Sequence, residues 1–243
     1  MNREAESRFA MFPQLEKPRS IFDRSHQVKT TFNVGDLVPI EVWQDVMPGD
    51  TIKMNTSILT RITSALKFPP MDNAYLDYFY FFVPNRLLYE DWEKLMGEND
   101  DPWAQKIVYT IPQIRTPAEG YAKGTIGNQL GIPKSAKNVE ISSLPFKAYA
   151  KIYNDFFRNQ NTQYCCDIDK TGTTLTGVNT GNYVTDVQLG GKCAKVNKFH
   201  DYFTSCLPEP QKHADVLLPL GTKTPVYSGT DLIPSSNVIT QAP

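Results

Sequence analysis

Apolar positions recur at two different periods along this chain, and each period predicts a different element. In residues 31–62 they alternate with polar ones. Val38, Ile40 and Val42 stand between Pro39 and Glu41, and Ile52, Met54 and Ile58 oppose Lys53 and Asn55. A period of two is that of a half-buried strand. Pro48-Gly49-Asp50 supplies a turn between these runs, and Pro39 puts its strand at a sheet edge or a bulge. Tyr75–Val83 is almost continuously aromatic, which predicts a strand covered on both faces. Pro84 ends it.

The period lengthens to three and four in two places. Leu88, Trp92 and Leu95 share a face of a short helix over 87–96, with Asn85 as its N-cap and Gly97 as its stop. A longer helix is predicted over 145–159, with Ser143 as N-cap and Pro145 in the first turn. Its stripe of Phe146, Tyr149, Ile152, Tyr153, Phe156 and Phe157 predicts packing on a sheet. Residues 98–143 read as loop, punctuated by Pro102, Pro112, Pro117 and Pro133. Residues 164–196 alternate Thr, Gly, Val and Asn and read as an exposed hairpin or meander with a Thr/Gly tip. Residues 199–206 are a short aromatic segment, and Val216–Leu220 is the last strand-like piece.

The first 30 residues differ in kind. Arg3, Arg8, Lys17, Arg19, Arg24 and Lys29 face Glu4, Glu6, Glu16 and Asp23, and Pro13 and Pro18 interrupt any helix. We read 1–30 as an extended arm that orders only against a partner. Its six cations are the candidate contacts to nucleic acid or to neighbouring subunits. Residues 31–243 then form one mainly β domain, a β-sandwich of jelly-roll type with helical and long-loop insertions. A jelly roll needs about eight strands, and this pattern supplies only four or five. The expectation is an incomplete sandwich, the front portion of a longer protein whose C-terminal strands are missing here.

Composition narrows the function classes. Hydrophobic residues are 40% and charged residues 21% of 243, which excludes disorder of the whole chain. Net charge is −1, which excludes a broad basic face; any nucleic-acid contact is local, or another basic component neutralises the phosphates. The N-terminus lacks the apolar core of a signal peptide, and no apolar run reaches the ~20 residues of a membrane span. The expected protein is soluble, made in a cytoplasm and not membrane-inserted. Cys165, Cys166, Cys193 and Cys206 form no C-x-x-C pair. They read as free thiols, with a bond from Cys165 or Cys166 to Cys193 left open.

Catalytic patterns are missing. His26, His200 and His213 form no H-x-x-x-H or H-E-x-x-H, and His200-Asp201 alone is too small a metal set. No G-x-S-x-G or G-x-G-x-x-G occurs. Gly190-Gly191-Lys192 has Asp186 and Cys193 where a phosphate loop needs Gly and Ser or Thr. Glu98, Asp100 and Asp101 lack a calcium-loop pattern and read as a solvated loop. The Asn55-Thr56-Ser57 sequon lies in a predicted strand with no export signal. No catalytic, cofactor or metal site is expected.

Several stretches carry a family resemblance. They are Phe22-Asp23-Arg24-Ser25-His26, Lys29-Thr30-Thr31-Phe32, Leu37-Val38-Pro39-Ile40, Pro48-Gly49-Asp50-Thr51, Met71-Asp72-Asn73 and Phe81-Phe82-Val83-Pro84-Asn85-Arg86-Leu87. Leu144-Pro145-Phe146-Lys147-Ala148-Tyr149 and His200-Asp201-Tyr202-Phe203-Thr204-Ser205-Cys206-Leu207-Pro208 continue the series. In order and spacing they resemble the major capsid proteins of the Microviridae, in particular the gokushovirus group, over most of residues 20–221. Glu209 and His213 depart from the pattern, which has Trp and Gly there. The resemblance implies a bacteriophage virion protein, made in the host cytoplasm, that self-assembles as a T=1 jelly-roll shell around circular single-stranded DNA. It also implies other virion partners: a small basic packaging protein and spike or pilot proteins. Outer loops would meet the host cell surface. The competing reading from residues alone is a carbohydrate-binding β-sandwich module using Trp43, Trp92 and Trp103 as sugar platforms. An enzyme on a β-sandwich scaffold has no convergent side chains to support it.

Overall fold

The computed structural model describes residues 18–99, 101, 103, 107–199, 201–203, 205–207, 212–217, 223–225 and 238–240. The chain divides into two compact units, Met1–Asn197 and Lys198–Pro243.

The first unit is low in helix and built around a small mixed sheet. A 3-10 turn, Asn85–Leu87, leads into the short helix α1, Trp92–Leu95. Strand β1 is Gln113–Arg115, helix α2 is Ile126–Gln129, and β2 is Glu140–Ser142. The main helix α3, Leu144–Ile152, runs into a π turn, Tyr153–Phe157, and β3 is Leu175–Thr176. The sheet order is β2-β1-β3. β1 pairs antiparallel with β2 (Ile114 opposite Ile141) and parallel with β3 (Ile114 opposite Leu175). In the second unit β4, Lys223–Pro225, pairs antiparallel with β5, Val238–Thr240.

The helix predicted at 145–159 is present, and Ser143 and Pro145 occupy the positions expected. Phe146, Tyr149 and Tyr153 are buried in one apolar cluster with Ile114, Tyr121, Ile126 and Val187. The turn widens at its end, where Arg158 N bonds Tyr153 O five residues back at 2.8 Å. The predicted helix at 87–96 is broken instead. Pro84, not Asn85, is the residue before the 3-10 turn, and only Trp92–Leu95 is α-helical. Its apolar face still packs, because Leu88, Trp92 and Leu95 join Tyr89 and Leu144 in a second cluster.

Two expectations are reversed. Residues 98–143 and 164–196, read as loop and exposed hairpin, supply much of the core. Tyr121 is fully buried, stacks on Phe146 with ring centres 5.9 Å apart, and donates to Leu189 O at 3.1 Å. Gly190 approaches closely enough that a Cβ there would lie 2.7 Å from both rings, and its φ is +78°. Gly177 and Gly190 therefore mark close approach to Tyr121, while the Thr/Gly stretch 171–174 is exposed as expected. Asn154 clamps Cys166 by accepting from its N at 2.8 Å and donating to its O at 2.9 Å.

The runs at 31–62 and 75–83 show the opposite. Among the described residues, 38–83 form no strand ladder. Most of their apolar side chains stand open, Phe82 at 80% and Leu59 at 98% exposure, while Leu37, Val38, Ile40 and Val83 are half-buried. Among the described residues the run at 75–83 is covered only in part, by Phe156 and Phe157 and, for Val83, by the Leu88 cluster. Of Val216–Leu220, Val216 and Leu217 are exposed and outside any strand, and 218–220 lie outside the described residues.

Candidate assembly and nucleic-acid surfaces

The segment that follows the arm, at 34–37, is fastened to the core. Leu37 N donates to Ala194 O at 2.9 Å and Val196 N to Gly35 O at 2.9 Å. The buried Tyr149 hydroxyl joins these two segments, donating to Leu37 O at 2.7 Å and accepting from Ala194 N at 3.0 Å. Lys195 adds an ion pair with Asp36 at 2.5 Å. Further out, Gln129 holds Thr30 at 2.5 Å and the Thr31 carbonyl at 3.1 Å.

Of the six candidate cations, Arg3, Arg8 and Lys17 lie outside the described residues. Arg19 and Lys29 are exposed. Arg24 is engaged by Asp45 at 2.5 Å. Two residues on, His26 Nδ1 donates to Arg24 O at 2.7 Å, and Nε2 meets Glu41 at 3.1 Å. The Arg24 carbonyl, then the Glu41 carboxylate, raise the pKa of this imidazole above its ordinary value. Within the described part of 1–30, Arg24, His26 and Thr30 contact Asp45, Glu41 and Gln129 further along the chain.

The aromatic run meets the end of the helix on one side. Phe81 lies 5.1 Å from Phe156 and 6.0 Å from Phe157, and Phe79 lies 5.6 Å from Phe157. Tyr78 and Tyr80 pack edge to face at 4.8 Å, and the Tyr80 hydroxyl bonds Thr56. Phe156 remains 67% exposed and Phe79 56%. A contiguous aromatic patch that the chain leaves open suits a protein interface, where such rings are enriched.

The three tryptophans do not converge on a sugar platform. Trp92 packs in the Leu88 cluster, Trp43 bonds Glu41, and only Trp103 stands out at 92% exposure. His200 lies outside the described residues, and among those described no three His, Cys, Asp or Glu side chains form a metal set. All four cysteines are free, so the bond to Cys193 left open is not made. Burial raises the pKa of the Cys166 and Cys193 thiols to about 12. Sequence reasoning missed Lys147. It is fully buried on α3 and donates to Thr171 O at 3.3 Å, and burial lowers its pKa against the pull of Asp169. Its place inside the apolar stripe was no signal, since a lysine there reads as a solvated edge.

Comparison with known proteins finds matches along most of the chain. Residues 10–242 match the family described as capsid protein (F protein). The chain is 42% identical over 234 residues to capsid protein VP1 of Spiroplasma virus 4, covering 93% of this chain and 42% of that protein. It is 41% identical over 225 residues to capsid protein VP1 of Bdellovibrio phage phiMH2K, covering 93% and 40%. To capsid protein VP1 of Chlamydia phage 1 it is 37% identical over 220 residues, covering 86% and 36%. The chain thus spans about two-fifths of the length of these relatives.

Proposed function

Because this chain belongs to the phage capsid protein (F protein) family, we propose that it builds, by self-association, a small T=1 icosahedral shell enclosing circular single-stranded DNA. Its role is structural and not enzymatic, and its place is the virion. The observation that carries the reading is the family match along residues 10–242. The open aromatic patch at 79–81 and 156 supports it, because a shell protein must present apolar area to its neighbours.

In this reading residues 1–30 are an arm on the shell's inner side and 31–243 belong to a jelly-roll domain. The unladdered apolar runs at 31–62 and 75–83 are its sandwich strands, whose ladder partners are not among the described residues. Arg19 and Lys29, with Arg3, Arg8 and Lys17, contact phosphates or neighbouring subunits, while Arg24 serves the arm's own anchorage. The chain's net charge of −1 calls for a separate small basic protein to neutralise the genome. Spike or pilot proteins and the host surface meet its outer loops.

The test is expression of this chain, and of a version extended to the length of its relatives, each with the other virion proteins. Negative-stain microscopy and sedimentation read the product. Uniform isometric shells holding nuclease-protected single-stranded DNA are expected from the extended version. A protein that stays monomeric at high concentration beside those partners overturns the reading.

A further inference from the structure

The end of α3 and the π turn form one wall of an open cleft of about 490 Å³. Lys151, Asp155 and Arg158 line it from that side, and Lys170 lines it from the segment opposite. Lys151 pairs with Asp155 at 2.7 Å and cancels its charge. Arg158 and Lys170 remain, in a chain whose net charge is −1. Arg158 Nη1 donates to Gln163 O at 2.6 Å, and its buried Nε has no partner among the described residues. Lys170 stands exposed, and the neighbouring Asp169 carboxylate is taken up by Thr171 and Thr173.

The opposite charge lies in the loop after α1. Between Lys94 and Lys106 the sequence has no cation and three carboxylates, Glu98, Asp100 and Asp101. Asp91, just before this loop, is already paired with Lys94 at 2.8 Å. Glu98 and Asp101 are exposed. Asp101 sits in a tight turn, its N donating to Asn99 Oδ1 at 3.3 Å and its Oδ1 accepting from Trp103 N at 2.9 Å. The loop does not line the cleft of its own chain. The other acidic candidate is the arm, but its carboxylates Glu4, Glu6, Glu16 and Asp23 are outnumbered by its cations, so it carries the cleft's own sign.

We propose that the acidic loop of one copy seats in the cleft of a second copy, with Asp101 facing Arg158 and Lys170. Loop and cleft are different surfaces of one chain, so the contact is heterologous: each copy offers its loop to one neighbour and its cleft to the next. Such contacts close into rings when the rotation between copies allows it, as a closed shell needs. Charge here sets register and choice of neighbour more than strength. Salt screens it, because both faces reach solvent. The inference rests on the proposed self-association and gives it one pair of surfaces, separate from the aromatic patch.

The experiment mixes unlabelled and 15N-labelled full chain at low concentration, concentrates the mixture, and treats it with a carbodiimide. This reagent joins a carboxylate to an amine where the two touch, itself taking up the water released. Mass spectrometry of the digest should find Asp101 or Glu98 joined to Lys170, in pairs whose halves carry different isotopes. The yield should fall about fivefold or more in high salt. D101K and K170E should each lose the 101–170 link, and D101K/K170E should regain it with amine and carboxylate exchanged. K137E, an exposed lysine outside the cleft, should keep it within about twofold. In the version extended to the length of its relatives, K170E should block shells and D101K/K170E should restore them. Normal shells from extended K170E, with no link from 98–101 to Lys170 in the parent chain, overturn the contact and leave the capsid reading intact. A link whose halves always share one isotope places the loop in its own cleft and also overturns it. A mixed-isotope link that needs Asp101 and Lys170, from an extended version that never forms shells, supports the contact and counts against the capsid reading.

Discussion

Single side chains here do work that their types do not advertise. The Tyr149 hydroxyl bridges Leu37 O and Ala194 N inside the core. Y149F removes both bonds and leaves two backbone groups unpaired, so chemical denaturation should show a loss of about 1–3 kcal/mol. The thiols divide by burial. Ellman's reagent should modify Cys165 and Cys206 at once in the native protein, and Cys166 and Cys193 only on unfolding. The same burial sets an alkaline limit. The folded state keeps these two thiols protonated to about 12, while the unfolded chain releases them near 9. Stability is therefore lost as pH rises through that window. Tyr149, whose pKa burial also raises, adds to the loss. Lys147 opposes it, because its lowered pKa makes its burial less costly as pH climbs. Denaturant midpoints from about pH 9 upward should fall, and the fall should lessen in C166A.

At the scale of elements, the helix over α3 was legible because its stripe, its N-cap position and its early proline all agree. The 164–196 segment was not. Its Thr, Gly and Asn residues carry the same signature whether they form a solvated hairpin or a close-fitting turn beneath an aromatic ring. Only Tyr121, far away in sequence, decides between the two. G190A tests this: a left-handed backbone and two rings at 2.7 Å should cost about 2 kcal/mol or more, read as a drop in Tm. The arm's short ion-paired stretch has its own signature. His26 should titrate above its ordinary value in NMR, so its pairing with Glu41 is complete below that value and fades as pH rises through the raised one. E41Q should bring the titration only part way back, because the Arg24 carbonyl remains.

For the whole molecule, the runs at 31–62 and 75–83 were legible as extended chain from their alternation, but their partners were not, because no ladder mate lies among the described residues. The candidate surfaces divide similarly. The basic arm showed in the sequence, whereas the cleft did not, since Lys151, Arg158 and Lys170 come together only after the 165–170 segment folds back on the π turn. The exposed apolar area has a direct consequence: the isolated chain should bind a hydrophobic dye strongly and sediment as a broad distribution. A sharp monomer peak without dye binding would contradict that expectation. The anchor of the segment just after the arm, finally, works as a clock. Val34 takes its bond from Lys195, 161 positions later. At ribosomal speed that interval lasts on the order of ten to thirty seconds. Throughout it the segment at 34–37 has no seat, although Asp45, Glu41 and Gln129 are already in place to hold residues 24–30. A polypeptide released before residue 196 would lack the seat at 34–37, and the order of synthesis thereby withholds that docking from unfinished chains.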